Sequence, residues 1–426
     1  MGNNYTIKEY DSFVCEKTVP GYTTLPQKTF EQLEEFVLSN RTNDADALDL
    51  MSISGKKGGI GKVITAKNYV GVISMTDGTR IEILPKIFSR ESHSDDQIKR
   101  LLVKMIRTLN APPYKTIQTS LVDTAKMNVF EIYIRMFIDE VFGIVKRGLK
   151  CDYQVIQRNE NAIKGKIIFS EHIKRNIVHK EKVYVEYDEF NINRPENRLI
   201  KSTLIYLYKK SISAKNKSDL KTLLSYFVEV DESLNYLNDI SLCKNDRNTA
   251  DYKNALVWCQ VFLKGESFTS FSGSKIAYAL LFPMEVLFES YVAKKIKECF
   301  RGSKCLVKIQ DKRYHLFDEP SKKFLIKPDI VIRNSVNKSV FLCDTKWKML
   351  SDSAPNYGIS QSDMYQMYAY QKKYNAESVT LLYPKTDKVI NENIEFKSDD
   401  ALVKVRFVDL FDDNSIFAIK DAIYGE

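Results

Sequence analysis

Histidine is scarce in this chain, with four residues, and none of the seven cysteines forms a CxxC pair. A zinc site built from such ligands is therefore not expected. An odd, scattered set of cysteines suits a reducing cytoplasm rather than a disulfide framework. No apolar signal core opens the chain: the first residues read MGNNYTIKEYDSF. A long uncharged apolar run is missing too. The most apolar stretch, Val129 to Val145, carries Glu131, Arg135, Asp139 and Glu140, which reads as a buried helix and not a membrane span.

A complete P-loop is also lacking. The stretch GKKGGIGKV (Gly55 to Val63) contains Gly61-Lys62. The residue five before Gly61 is Lys56 instead of glycine, and Val63 has no hydroxyl for Mg²⁺. The residues that follow, VITAKNYVGVISM, are β-branched and aromatic, so they predict strand where a P-loop must open a helix. This reads as a basic glycine loop, with no nucleotide bound by this chain.

The bulk numbers describe a soluble globular protein. Charged residues make up 28% and hydrophobic ones 44% of 426 residues, enough for two or three domains with separate cores. The net charge of +9 permits a nucleic-acid partner without establishing one.

The first third is mixed. Phe30, Leu33 and Val37 recur at helical spacing, and VGVISM and TRIEILP flank Asp77-Gly78, a tight-turn dipeptide. A two-residue turn there places Val70, Val72, Ile81 and Ile83 on one face. The middle is largely helical. Ser94 or Asp95 caps one helix, another covers about 126–149, and a β insert (GKIIF, KVYVEYDEF) precedes helices that resume at Pro195. The Gly/Ser-rich segment 265–275 marks a boundary. The last third alternates: helix from Pro283, strands at 324–333 and 339–348, a Tyr-rich helix at 361–374, then SVTLLYP as strand. The expected fold class is α/β at the C-terminus behind a mixed β and helical N-terminal region, in three segments: 1–125, 126–265 and 266–426.

Two strands carry the sharpest chemical signal, FLIKPDIVIRN and SVFLCDTKWKM. A hairpin centred between Val336 and Asn337 puts Asp329 directly across from Asp344, with Cβ atoms about 5 Å apart. Lys346 emerges on the same face as Asp344. Two close carboxylates repel unless a cation or proton sits between them, and hard oxygen ligands of this kind suit Mg²⁺. That chemistry points to metal-dependent phosphodiester hydrolysis. The same residues would also serve as a surface ion pair on an ordinary hairpin. Upstream, Glu289 lies on a helix, with Glu285 one turn earlier. Downstream, Gln366 and Tyr370 share a helix face at i, i+4. A solvated glutamate and a packing tyrosine are the plain alternatives. The basic run 294–313 fits either DNA phosphates or a solvated face.

The Pro328-Asp329 and Asp344-Thr345-Lys346 pattern resembles the PD-(D/E)xK nuclease motif, and Glu289 with Gln366 and Tyr370 resembles its RecB-like branch. NYVGVISMTDGTRIEILPKI (68–87), GKIIFSEHIKRN (165–176), YDEFNINRPENRLIKSTL (187–204) and FPMEVLFESYV (282–292) are similar to the McrC family. That family supplies the nuclease subunit of McrBC-type, modification-dependent restriction systems. The resemblance spans roughly residues 60 to 385. It implies a C-terminal PD-(D/E)xK domain that cuts double-stranded DNA with Mg²⁺. It also implies a partner, an McrB-type AAA+ motor that binds and hydrolyses GTP, is stimulated by the N-terminal part of the nuclease subunit, and carries most of the recognition of 5-methylcytosine. Carried over by residue, Asp329, Asp344 and Glu289 become metal ligands, Lys346 the catalytic lysine, and Gln366 and Tyr370 supporting residues. A non-catalytic adaptor of such a motor and a stand-alone RecB-like repair nuclease are the other readings. His172 and Lys174-Arg175 fall in a family-like stretch without an evident role.

Overall fold

The computed structural model describes residues 3–39, 41–42, 45–46, 50–56, 60–75, 78–87, 93–109, 129–178, 181–243, 249–263, 276–389, 391, 393–398, 401–412 and 414–424. The chain divides into two compact units, residues 1–129 with 271–426, and residues 130–270. The first and last of the three expected segments thus fold together. The cause is the strand Ile276–Pro283, which pairs antiparallel with Tyr69–Met75 and completes a sheet begun near the N-terminus. The expected boundary at 265–275 lies outside the described residues.

In the first unit, one four-stranded sheet runs in the order Asn4–Lys8, Arg80–Leu84, Tyr69–Met75, Ile276–Pro283. A second runs Thr23–Leu25, Ser12–Cys15, Gly61–Ala66, Met51–Lys56. The helix Gln27–Ser39 packs onto their shared core, burying Phe30, Leu33 and Val37, the spacing read from sequence. The glycine-loop region is strand on both sides: Gly55 pairs with Lys62 and Lys56 with Gly61. Lys62 Nζ sits 2.6 Å from Glu34 Oε1.

The Tyr69–Leu84 hairpin departs from expectation. Gly71 faces Ile83, Val72 faces Glu82 and Ile73 faces Ile81. Ile81 and Ile83 therefore share a face with Ile73, and Val70 and Val72 take the other. The Met75 N–H donates to the Thr79 carbonyl, so the loop is one residue longer than a two-residue turn. Gly78, at φ 88°, occupies the left-handed position that a three-residue loop needs. One extra loop residue moves every side chain of one strand to the opposite face.

The C-terminal sheet has six strands in the order Cys305–Ile309, Ile330–Asn334, Val340–Thr345, Ser378–Pro384, Ala401–Val408, Ile394–Ser398. Val340–Thr345, Ser378–Pro384 and Ala401–Val408 run parallel. All seven residues of the central strand SVTLLYP are buried, as for a strand covered on both faces. The helix Gln361–Tyr374 starts where Ser360 Oγ accepts the Asp363 N–H and ends at Asn375 in the left-handed region. It buries Met367, Tyr370 and Tyr374 against Val331, Leu342, Val379 and Val405. Each such side chain contributes about 1.5–3 kcal/mol of apolar burial.

The second unit holds a long antiparallel pair, Asp152–Glu160 with Val183–Asn191, and the helices Pro195–Lys210, Ala214–Tyr226, Tyr236–Leu242 and Lys253–Leu263. In the GKIIF stretch, Gly165 has φ 70°, and a Cβ there would lie 2.3 Å from the Glu186 carbonyl, so only glycine fits. His172 Nδ1 bonds Asn176 Nδ2 at 2.9 Å. The same amide reaches Asn159 Oδ1 at 2.7 Å and the Lys182 carbonyl at 3.1 Å. That gives His172 a place in a local polar clamp. Among the described residues no helix is long and apolar enough to cross a membrane.

Candidate active site

The hairpin that carries Asp329 and Asp344 has the register expected from its sequence: Ile330 faces Cys343 and Val331 faces Leu342. Asp329 immediately precedes its strand, and Asp344 lies at the carboxyl end of the next. Asp329 Oδ2 accepts two bonds from Thr345, one from the backbone N–H and one from the hydroxyl, both 2.7 Å. Asp344 is only 2% exposed. Its Oδ2 lies 2.8 Å from Lys346 Nζ, yet has no well-directed hydrogen bond.

Lys346 continues the ladder, donating its backbone N–H to the Leu382 carbonyl at 3.0 Å. Its ammonium reaches Gln366 Oε1 at 3.3 Å and Asp363 Oδ1 at 3.9 Å. Gln366 Nε2 donates to the Tyr370 hydroxyl at 2.7 Å, and that hydroxyl donates to the Lys327 carbonyl at 3.1 Å. Lys327 stands two residues before Asp329. The helix pair Gln366 and Tyr370 therefore links both strands of the hairpin and fixes the lysine. Glu289, on the helix Met284–Cys299, accepts from Gln310 Nε2 at 2.7 Å, and the Gln310 N–H bonds the Asp329 carbonyl at 2.8 Å.

Burial and mutual repulsion set the charges. Burial, then the Asp329 charge, push Asp344 up to about 7 against the pull of Lys346. Burial also raises Asp329, opposed by the Thr345 bonds and by Lys346. Glu289 is raised by burial and by Asp329. Burial alone would lower Lys346, but Asp344, Asp363 and Asp329 outweigh it and hold the ammonium charged. The Lys346 ammonium thus sits against the buried Asp344, with Asp329 half-buried beside it and the Lys327 charge also favouring the Asp329 carboxylate.

These donors fit a magnesium ion. Mg²⁺ is held by one or two carboxylates and otherwise by waters and substrate phosphates, so the pair Asp329 and Asp344 suffices. The weakly satisfied, buried Asp344 Oδ2 is the kind of acceptor such an ion uses. Among the described residues no three His, Cys, Asp or Glu side chains gather into a ready cage, so Glu289 stands beside the pair, held by Gln310. Sequence reasoning missed Thr345, Asp363 and Gln310. Thr345 was legible in principle, since it sits between Asp344 and Lys346. Gln310 joins the site only through the sheet pairing of Cys305–Ile309 with Ile330–Asn334.

Two acidic residues and a lysine at one end of a mixed sheet, braced by a Gln/Tyr helix, define an α/β protein with an acid–lysine centre. Over residues 64–384 the sequence matches the family described as McrBC 5-methylcytosine restriction system component, and the chain belongs to that family. Its fold is similar to a chain in the refined half-complex from the tetradecameric assembly of Thermococcus gammatolerans McrB AAA+ hexamers with bound McrC. The two are 17% identical, with a TM-score of 0.66, covering 99% of this chain and 100% of that one. A chain of the Thermococcus gammatolerans McrBC complex aligns at 16% identity and a TM-score of 0.49, over 70% of this chain and 88% of that one. No significant match was found among curated proteins.

Proposed function

We propose that this protein is the DNA-cutting subunit of a McrBC-type restriction complex, with its C-terminal part, residues 266–426, serving as a PD-(D/E)xK nuclease domain. The observation that carries the reading is the Lys346 ammonium held between Asp344 and Gln366, one strand from Asp329. Asp329 and Asp344 would hold Mg²⁺, and Glu289, held by Gln310, would be the third acidic residue of the centre. The ion, when bound, supplies Lewis-acid polarisation of the phosphodiester and a more acidic water. Lys346 orients the attacking water or stabilises negative charge that develops on the phosphate. Gln366 fixes the ammonium by accepting from it, and Tyr370 fixes Gln366. Thr345 aims Asp329 by two hydrogen bonds.

The partner is an McrB-type AAA+ GTPase, in keeping with the Thermococcus gammatolerans assembly of McrB hexamers with bound McrC. GTP binds to that partner, and this chain stimulates its hydrolysis through residues before about 125. The substrate is double-stranded DNA containing 5-methylcytosine, and the work takes place in the cytoplasm. A paired assay of DNA cleavage and GTP hydrolysis on the reconstituted complex tests this. Asp344→Ala is expected to lower cleavage roughly a thousandfold or more while GTPase stimulation persists. Cleavage near the wild-type rate would remove the hairpin as the active site. A complex of wild-type subunits that hydrolyses GTP but never cuts would favour the non-catalytic adaptor.

A further inference from the structure

Between Cys305–Ile309 and Ile330–Asn334 the chain does not turn directly. It extends into a small antiparallel hairpin, His315–Phe317 with Lys323–Leu325. The roots of this excursion are Gln310 and Asp329, bonded through the Gln310 N–H and the Asp329 carbonyl. The hairpin therefore rises from the acid–lysine centre itself. Its lower part is anchored: Ile326 N–H donates to the Tyr314 carbonyl at 2.9 Å, and Tyr314 packs edge-on against Tyr374 at 4.7 Å. Above that, two large apolar side chains are left open to solvent. Phe317 is 55% exposed and Phe324 is 71% exposed, their rings in an edge contact at 6.0 Å. Phe324 also has φ 58°, a left-handed conformation that a bulky L-residue adopts only with strain. Strain held at an exposed aromatic points to use, because nothing in a folding core is gained by it.

The charge around these rings is basic. Residues 311–327 contain five Lys and Arg against Asp311, Asp318 and Glu319; Arg313 pairs with Asp311 at 3.8 Å and Lys373 with Asp318 at 3.0 Å, which leaves Lys322 and Lys323 beside the rings. Aromatic rings flanked by lysines suit nucleic acid, since bases stack on the rings while ammonium groups neutralise phosphates. We propose that this hairpin is a DNA wedge: Phe317 and Phe324 stack on bases beside the acid–lysine centre and open the base stack there, and Lys322 and Lys323 hold the backbone. Exposed phenylalanines inserted between base steps are an established way to unstack a duplex. The placement next to the scissile phosphate rests on the nuclease reading above; the DNA contact itself does not.

The test uses the full chain with its motor partner and a duplex carrying 2-aminopurine, whose emission rises on unstacking. Calcium replaces magnesium so that DNA stays intact. Wild type is expected to raise the emission. Phe317→Ala with Phe324→Ala should abolish that rise and weaken binding about tenfold or more. Both phenylalanines are exposed, so the melting temperature should hold, and Phe317→Trp with Phe324→Trp should restore the rise. Lys322→Ala with Lys323→Ala should lower the slope of log affinity against log salt by about 2 and keep the emission at saturation. An alanine pair that binds and brightens like wild type overturns the wedge. So does an alanine pair that loses the motor protein while still brightening, which would make the hairpin a protein contact. Cleavage in magnesium is read in parallel. A wild-type complex that cuts without brightening sinks the wedge and leaves the nuclease standing; one that brightens without cutting does the reverse.

Discussion

The indole N–H of Trp347 donates to Glu9 Oε1 at 3.2 Å, joining residues 338 positions apart. The other Glu9 oxygen accepts the Lys86 backbone N–H at 3.0 Å. Trp347 follows Lys346 directly and packs on Phe288 at 5.5 Å. Glu9 follows the strand Asn4–Lys8, and both residues border a cavity of 560 Å³. The end of the N-terminal sheet is thereby bonded to the residue beside the lysine of the acid–lysine centre.

Glu9 gives the first prediction. Burial raises it to about 8, and the Lys86 and Trp347 bonds only partly oppose this. The folded carboxyl keeps its proton up to about pH 8, whereas the unfolded one loses it near 4.5. The folded state therefore binds more protons across that window, and stability falls as pH rises through it, by on the order of a few kcal/mol. Thermal melts followed by tryptophan emission should show the decline between pH 5 and 9. Glu9→Gln should make it shallower. The amide offers one acceptor to two donors, so the variant should lose about 1–3 kcal/mol at pH 5 and recover towards wild type at pH 9. An unchanged slope in Glu9→Gln would clear Glu9 of the effect.

What the sequence disclosed and what it hid divide along a physical line. The Asp329 and Asp344 hairpin was legible because its turn sets the register and its strands are short and uniform. The helix Gln361–Tyr374 was legible because Ser360 caps it and Asn375 ends it. The Tyr69–Leu84 hairpin misled because Asp77-Gly78 reads as a two-residue turn, and one more loop residue reverses a face while leaving both strands apolar. The pairing of Ile276–Pro283 with Tyr69–Met75 left no local trace, since nothing in either strand names a partner two hundred residues away. Glu9 was invisible for the same reason: only tertiary structure brings Trp347 and the Lys86 backbone to it.

Lys62 gives the second prediction. It lies on a strand and pairs with Glu34, its side chain 65% exposed. An exposed pair contributes about 0–1 kcal/mol. Lys62→Ala should therefore shift the melting temperature slightly, and calorimetry on wild type should detect no specific GTP or ATP binding by the isolated chain. Saturable micromolar binding that vanishes in Lys62→Ala would show that the glycine loop does hold nucleotide.

Tyr370 gives the third. Its hydroxyl accepts from Gln366 and donates to the Lys327 carbonyl. Tyr370→Phe keeps the ring in the core and removes both bonds, costing about 1–3 kcal/mol of stability. Gln366 then holds Lys346 less firmly. Single-turnover cleavage should slow by roughly tenfold, a cost of about 1.4 kcal/mol in the barrier. The magnesium concentration for half-maximal rate should stay the same. If that concentration rises instead, Tyr370 acts on the metal ligands and not through Gln366.

Asp344 gives the last, in which stability and activity move in opposite directions. Its side chain is buried, and burial together with Asp329 raises it to about 7, against an ordinary value of 3.8. In metal-free protein the folded state keeps a proton on this pair that the unfolded chain has lost. Stability therefore falls as pH climbs from about 4 to about 7, and above 7 the whole penalty applies. Asp344→Asn removes an ionisable group from a buried site, at the loss of the Lys346 ion pair; Lys346 retains Gln366 and Asp363. Metal-free Asp344→Asn should melt higher than wild type at pH 8 and no higher at pH 4. Magnesium should raise the wild-type melting temperature at pH 8, because a cation offsets the repulsion, and should do little for the variant. Cleavage by the variant complex should fall roughly a thousandfold or more. Melts at both pH values, with and without magnesium, decide the matter. If Asp344→Asn melts lower than wild type in metal-free buffer at pH 8, the Lys346 pair outweighs the burial penalty. The centre would then be a stabilising ion pair without need of a metal.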